Sequence, residues 1–119
     1  MPDEFARSER VAQAVNRQLA LILRNEVNDP RLQALTITEV DVTKDLRQAK
    51  IYVTSLNDDQ VDIDGVMGAL DRANGFIRRA LAAVIDLRHC PSLIFVYDNS
   101  ISHGAYMSDL IDQALNKNN

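Results

Sequence analysis

Arg10, Arg17 and Arg24 recur at seven-residue intervals near the start of the chain. On an α-helix, at 100° per residue, they fall within about 40° of one another. At 1.5 Å per residue the row spans about 21 Å. Guanidinium groups in a row suit phosphate oxygens, which they can hold in bidentate fashion. A solvated helix face gives the same pattern, because charged outer faces are the default for surface helices. A second group, Arg72, Arg78 and Arg79, flanks Ala73-Asn74-Gly75. Small residues let a phosphodiester backbone approach closely. A helix that restarts after glycine presents unpaired N–H groups and a positive dipole end. An ordinary helix-turn-helix with Asn-Gly in its turn reads the same way.

No catalytic constellation accompanies these cations. His89 and His103 lie fourteen residues apart without a ligand pattern, and the phosphate-loop, dinucleotide and nucleophile-elbow motifs are missing. Cys90 follows His89, but neighbours on an extended chain point apart, so a bystander thiol is expected. The aspartates Asp58, Asp59, Asp62 and Asp64 lack the spacing of a calcium loop and read as a solvated acidic segment. The residues therefore suggest no metal, no cofactor and no chemistry.

Exposed aromatics can stack on bases. Tyr52 shares a strand face with Lys50 and is the best candidate, whereas Phe76, Phe95 and Tyr97 are expected in the core. Leu21 falls on the arginine side of the first helix and is either an isolated exposed leucine or a contact for a partner.

The chain has 119 residues, 46% hydrophobic and 25% charged, which fits one globular domain with its own core. A single cysteine excludes an intramolecular disulfide and suits a reducing cytosol. The opening Met1-Pro2-Asp3-Glu4 is not expected to be a signal peptide, and no apolar run is long enough to span a membrane. The net charge of −4 argues, taken alone, against nucleic acid. The distribution qualifies it: twelve of the thirteen basic residues lie between Arg7 and Lys50 or between Arg72 and Arg88. Because salt screens distant charge, an acidic chain can still present a basic face.

The elements that must position these groups follow from periodicity. A helix is expected from Ser8 to Val27, with Ser8 as N-cap and Val11, Val15, Leu19, Ile22 and Leu23 inward, stopped by Asn28-Asp29-Pro30. Thr36 to Thr43 and Gln48 to Leu56 alternate as strands, joined by Lys44-Asp45-Leu46-Arg47 into a hairpin. Asn57-Asp58-Asp59 ends the second strand. A helix from Asp62 to Arg72, with Ile63, Val66, Met67 and Leu70 inward, is expected to break at Ala73-Asn74-Gly75. It resumes with Ile77, Ala80, Leu81 and Val84 inward. Leu93 to Tyr97 forms a third strand, placed beside the first, and a last helix begins at Ser102 or His103. The class is α+β, in the order α-β-β-α-kink-α-β-α, with a three-stranded sheet and helices packed on one face.

Several segments, in order and at matching spacing, resemble the ribosome-binding factor A family. They are Arg7-Ser8-Glu9-Arg10-Val11-Ala12, Asp29-Pro30-Arg31, Lys50-Ile51-Tyr52-Val53-Thr54 and Asn74-Gly75-Phe76-Ile77-Arg78. Leu87-Arg88, Phe95 through Asp98, Met107-Ser108 and Leu110-Ile111 complete the set. The resemblance implies a single KH-like domain of type II across residues 1–119, in which an Ala-X-Gly kink replaces the GXXG loop; Ala73-Asn74-Gly75 match it.

It also implies a non-catalytic cytoplasmic factor that binds the free small (30S) ribosomal subunit and its 16S rRNA late in assembly. Such a factor supports 5′-end processing, notably in the cold, acts as a monomer and is released with the help of an assembly GTPase. On that reading Arg10, Arg17, Arg24, Arg31, Arg47, Lys50, Arg72, Ala73, Asn74, Gly75, Arg78, Arg79 and Arg88 are the expected RNA contacts. Two departures stand out: Ala82, Ala83 and Asp86 occupy a stretch where family members often carry lysine, and the chain stops at Asn119 without a charged tail. Two rival classes fit the residues themselves. One is a module that docks on ribosomal proteins through the edge around Leu21. The other is a small ligand-binding domain or enzyme, which would need a deep polar pocket.

Overall fold

The computed structural model describes residues 3–55 and 62–98. The elements run α1 (Asp3–Asn25), α2 (Pro30–Gln33), β1 (Leu35–Val42), β2 (Gln48–Ser55), α3 (Ile63–Val84) and β3 (Ser92–Tyr97). The expected turn at Asn57-Asp58-Asp59 and the expected last helix lie outside the described residues.

Helix α1 buries Val11, Val15, Leu19, Ile22 and Leu23, the stripe its periodicity demands. It starts earlier than Ser8, which is not a cap but a buried member of the same stripe, three residues before Val11. The stop at Asn28-Asp29-Pro30 is also a start. Asp29 is the N-cap of the one-turn α2, its carboxylate accepting from the Arg31 amide, with Pro30 at the first helical position. Leu32 from this turn is buried against the core.

Strands β1 and β2 pair antiparallel, and the apolar pattern of β1 explains an irregularity between them. Leu35 and Ile37 are odd-numbered, Val40 and Val42 even-numbered, so a regular strand would send one pair to the wrong face. The register jumps from Ile37↔Val53 to Glu39↔Tyr52, leaving Thr38 as the extra residue of a β-bulge. Both apolar pairs then face the helices. The Thr38 hydroxyl donates to Asp98 Oδ2 at 2.6 Å, tying the bulge to the end of β3.

The third strand lies beside β2, parallel to it, and not beside β1 as the sequence suggests. Two physical reasons favour this order. A parallel neighbour needs a crossover of a dozen or more residues, which α3 supplies between β2 and β3. It also puts β2, whose Ala49, Ile51 and Val53 are wholly buried, in the middle of the sheet.

Helix α3 runs without interruption from Ile63 to Val84, so Ala73-Asn74-Gly75 lie inside a helix and not between two. No described glycine has a positive φ. Burial explains the continuity: Val66, Ala69, Leu70, Ile77 and Leu81 are buried and Ala73 is half-buried against the same core, at helical spacing straight through the expected break. Each large apolar side chain gains about 1.5–3 kcal/mol on burial, more than the roughly 1 kcal/mol by which a helical glycine falls short of alanine. Two residues expected inward, Ile63 and Val84, are exposed near its ends. The buried residues of α1, α2, α3 and the sheet form one cluster. The helices therefore cover one face of the three-stranded sheet, and the fold is α+β.

Among the described residues no helix is long and apolar enough to cross a membrane, and no group of three or more His, Cys, Asp or Glu could hold a metal ion.

Candidate nucleic-acid interface

Arg10, Arg17 and Arg24 are all exposed, on the side of α1 opposite its buried stripe. Leu21, 49% exposed, lies among them. On α3 the residues opposite the buried stripe include Gly68, Arg72, Gly75 and Arg79, with both arginines exposed. Because α1 and α3 cover the same face of the sheet, the two sets of arginines point off the same side of the molecule. That side is not uniformly positive: Asp64 and Asp71 are exposed on the first half of α3, and the cations follow them.

The glycines on this face do a job other than turning the chain. A Cβ on Gly68 would sit 3.4 Å from Arg72 Nη1, and one on Gly75 would sit 3.4 Å from Arg79 Nη1. Each guanidinium thus lies back along the helix over the glycine one turn before it, and the helix backbone is thinly covered there.

The remaining predicted contacts separate into groups. Arg78 faces β3: its Nη2 donates to the Cys90 carbonyl at 2.7 Å and its Nε to the Pro91 carbonyl at 3.2 Å. Asn74 also faces β3, its side-chain amide donating to the Leu93 carbonyl at 3.0 Å. These two residues fix the approach to the third strand. Arg31 is paired, donating from Nε to Asp29 Oδ1 at 3.2 Å and from Nη2 to Asp29 Oδ2 at 3.0 Å. The hydrogen bonds between them hold the Asp29 carboxyl below its usual range and push the Arg31 guanidinium above its own. Ala73 is half-buried between α3 and the core. Lys50 and Tyr52 are on the outer face of the sheet, opposite Asp41 and Glu39 respectively, so their surroundings on β1 are acidic.

Arg47 and Arg88 come together with Arg7 and His89 in a cleft of about 260 Å³ near the start of α1. The backbone builds it. The Ser92 amide donates to the Arg47 carbonyl at 2.8 Å, bringing the β1–β2 hairpin beside the segment after α3. At the hairpin tip Leu46 takes a left-handed conformation, φ 62°, which is strained for a leucine by about 1–2 kcal/mol. Packing of its side chain on the core offsets that strain. The Asp45 carboxylate is engaged by the Thr43 hydroxyl and the Arg47 amide, which lower its pKa. Among the described residues the three arginines of the cleft are without an ion pair, and Arg31–Asp29 is the salt bridge found. Arg7 stands about 25 Å along α1 from Arg24, so the cations gather in two well-separated regions.

The sequence reading missed two members of this surface. Phe76, expected in the core, is 45% exposed beside Arg72. Its neighbour Ile77 takes the buried position, and strict helical spacing from Leu70 and Ala73 selects Ile77 over Phe76. Arg7 joins Arg47 and Arg88 only through tertiary contact. Cys90 is half-buried; burial pushes its thiol up, and its Sγ donates to the Arg78 carbonyl at 3.8 Å. A protonated thiol in that setting is a poor nucleophile.

The sequence model of the family described as Ribosome-binding factor A matches residues 7–111. A ribosome-binding factor A from Aromatoleum aromaticum is 44% identical over 115 residues, covering 97% of this chain and 90% of that protein. The crystal structure of ribosome-binding factor A from Thermus thermophilus superposes with a TM-score of 0.67 at 29% identity, over 76% of this chain and 93% of that one. A homology model of the Thermus thermophilus factor, fitted into a cryo-electron-microscopy map of its complex with the 30S subunit, superposes with a TM-score of 0.62 at 30% identity. It covers 74% of this chain and 91% of that one. With the family match running through every described element of the fold, this chain belongs to the ribosome-binding factor A family.

Proposed function

We propose that this protein is a non-catalytic cytoplasmic assembly factor that binds the free small ribosomal subunit through the backbone of its 16S rRNA. In this reading it supports late maturation and 5′-end processing of that RNA, notably in the cold. The observation that carries it is the shared side of the α1 row, Arg10, Arg17 and Arg24, with Arg72 and Arg79 of α3, all exposed on a molecule of net charge −4. The fitted complex of the Thermus thermophilus factor with the 30S subunit supports the same partner.

The protein acts as a monomer, with an assembly GTPase helping its release, and needs no cofactor. Arg47, Arg88 and Arg7 form a second point of attachment, Lys50 a peripheral one, and Gly75 a place where RNA backbone comes close to α3. Ala73, Asn74, Arg78 and Arg31 act by holding the surface in shape. Contacts of this kind read shape and backbone more than base edges.

Sedimentation of a lysate tests the reading. The protein migrates with free small subunits and is absent from joined ribosomes; migration at the top of the gradient contradicts it. Leu21, exposed within the arginine row, favours a second reading in which the protein docks on ribosomal proteins. Naked 16S rRNA fragments compete with the subunit in the first case and leave binding unchanged in the second.

A further inference from the structure

A groove of about 420 Å³ opens between the end of α1, α2 and α3. Its floor is apolar, made by Val27, Leu32 and Ala73 among others. Phe76 and Arg72 line the α3 side, four residues apart on one helix, so both stand on the same helix face one turn apart. The other side carries carboxylates. Asp29 is engaged three times by Arg31, through its amide, Nε and Nη2. Glu26 has no side-chain partner among the described residues.

The combination is selective. A phosphate alone is disfavoured by the apolar floor and the acidic rim. An aromatic face with a cation one turn away suits a nucleotide, whose base stacks while its phosphate meets the arginine. The free carboxylate accepts hydrogen bonds and cannot donate them, which selects the base further. Uracil offers a single N–H flanked by two carbonyl oxygens, which the carboxylate would also face. Guanine presents two adjacent N–H groups on its Watson–Crick edge, a match for the two oxygens of a carboxylate.

We propose that this groove takes an unpaired guanine of the bound RNA, stacked on Phe76 over the apolar floor, its N–H edge on Glu26 and its phosphate on Arg72. The inference rests on the RNA-binding reading above and adds a base preference to a surface otherwise directed at backbone.

Fluorescence anisotropy with the full chain tests it, using a labelled nine-residue oligouridylate and the same oligomer with one central guanosine at fixed low salt. The wild type binds the guanosine oligomer about tenfold more tightly, the scale of one stacked and bidentate base. Phe76→Leu and Glu26→Gln each reduce that ratio toward one, and Glu26→Gln leaves oligouridylate binding undiminished. Both positions are exposed, and unchanged urea midpoints show that the variants fold. Equal wild-type affinities, a ratio that survives both substitutions, or no binding of either oligomer beside normal subunit binding overturns the guanine groove alone. Loss of wild-type subunit binding overturns the reading beneath it.

Discussion

Arg78 reaches from α3 to the carbonyls of Cys90 and Pro91, at 2.7 and 3.2 Å, immediately before Arg79 of the exposed Gly75–Arg79 pair. Adjacent arginines therefore have different work: Arg78 holds the chain entering β3, and Arg79 faces outward. Arg78→Ala is expected to lower stability by about 1–2 kcal/mol, the range for hydrogen bonds from a charged donor with some discount for exposure. Arg79→Ala leaves stability within about 0.5 kcal/mol, as surface substitutions do. Urea denaturation separates them, and equal urea midpoints for the two variants contradict the assignment. Arg79→Glu, not Arg78→Glu, is then the informative substitution for subunit binding.

Gly75 sits in a helix, with only the tip of Arg79 near the space a methyl group would fill. Gly75→Ala is accordingly expected to stabilise the protein by roughly 0.5–1 kcal/mol through helix propensity. It is also expected to weaken small-subunit binding severalfold, because the thinly covered backbone gains a side chain. Destabilisation in thermal unfolding would show that Gly75 adopts a left-handed conformation in solution.

Much of this was legible beforehand. The α1 stripe, the hairpin and both flanking strand segments follow from spacing, and the family resemblance follows from short segments in order. The errors have particular causes. Asn74-Gly75 carries a strong local turn signal, and the buried Leu70, Ile77 and Leu81 with the half-buried Ala73 override it. Ser8 looks like a cap because it precedes Val11, yet helical turns N-terminal to it continue the element. Strand order cannot be read from three short apolar runs; it depends on which strand needs two neighbours to bury its groups. The structural duty of Arg78 was invisible because its partners are twelve and thirteen residues away. Arg31 was different: Asp-Pro-Arg reads as a capped helix start, and its pairing with Asp29 was available from that pattern.

The Asp29–Arg31 pair gives a pH dependence with a definite sign. Hydrogen bonds from Arg31 lower the Asp29 pKa from its ordinary 3.8. A depressed folded-state pKa means the contribution is fully present above 3.8 and is lost as pH falls through the lower value. Asn caps a helix about as well as Asp, so Asp29→Asn removes the charge and keeps the cap. Thermal unfolding followed across pH should show the wild type more stable than this variant near neutrality and the difference shrinking in acid. A difference that grows in acid contradicts the pairing.

The central claim is that an acidic protein grips rRNA backbone with the arginines of α1 and α3. The salt dependence of its binding to purified small subunits tests this most directly. Four to six phosphate contacts give a log–log slope of about −3 to −4, and replacing Arg10, Arg17 and Arg24 together by glutamine should make it shallower by about 2. A flat wild-type response, or a triple variant with the wild-type slope, contradicts the account.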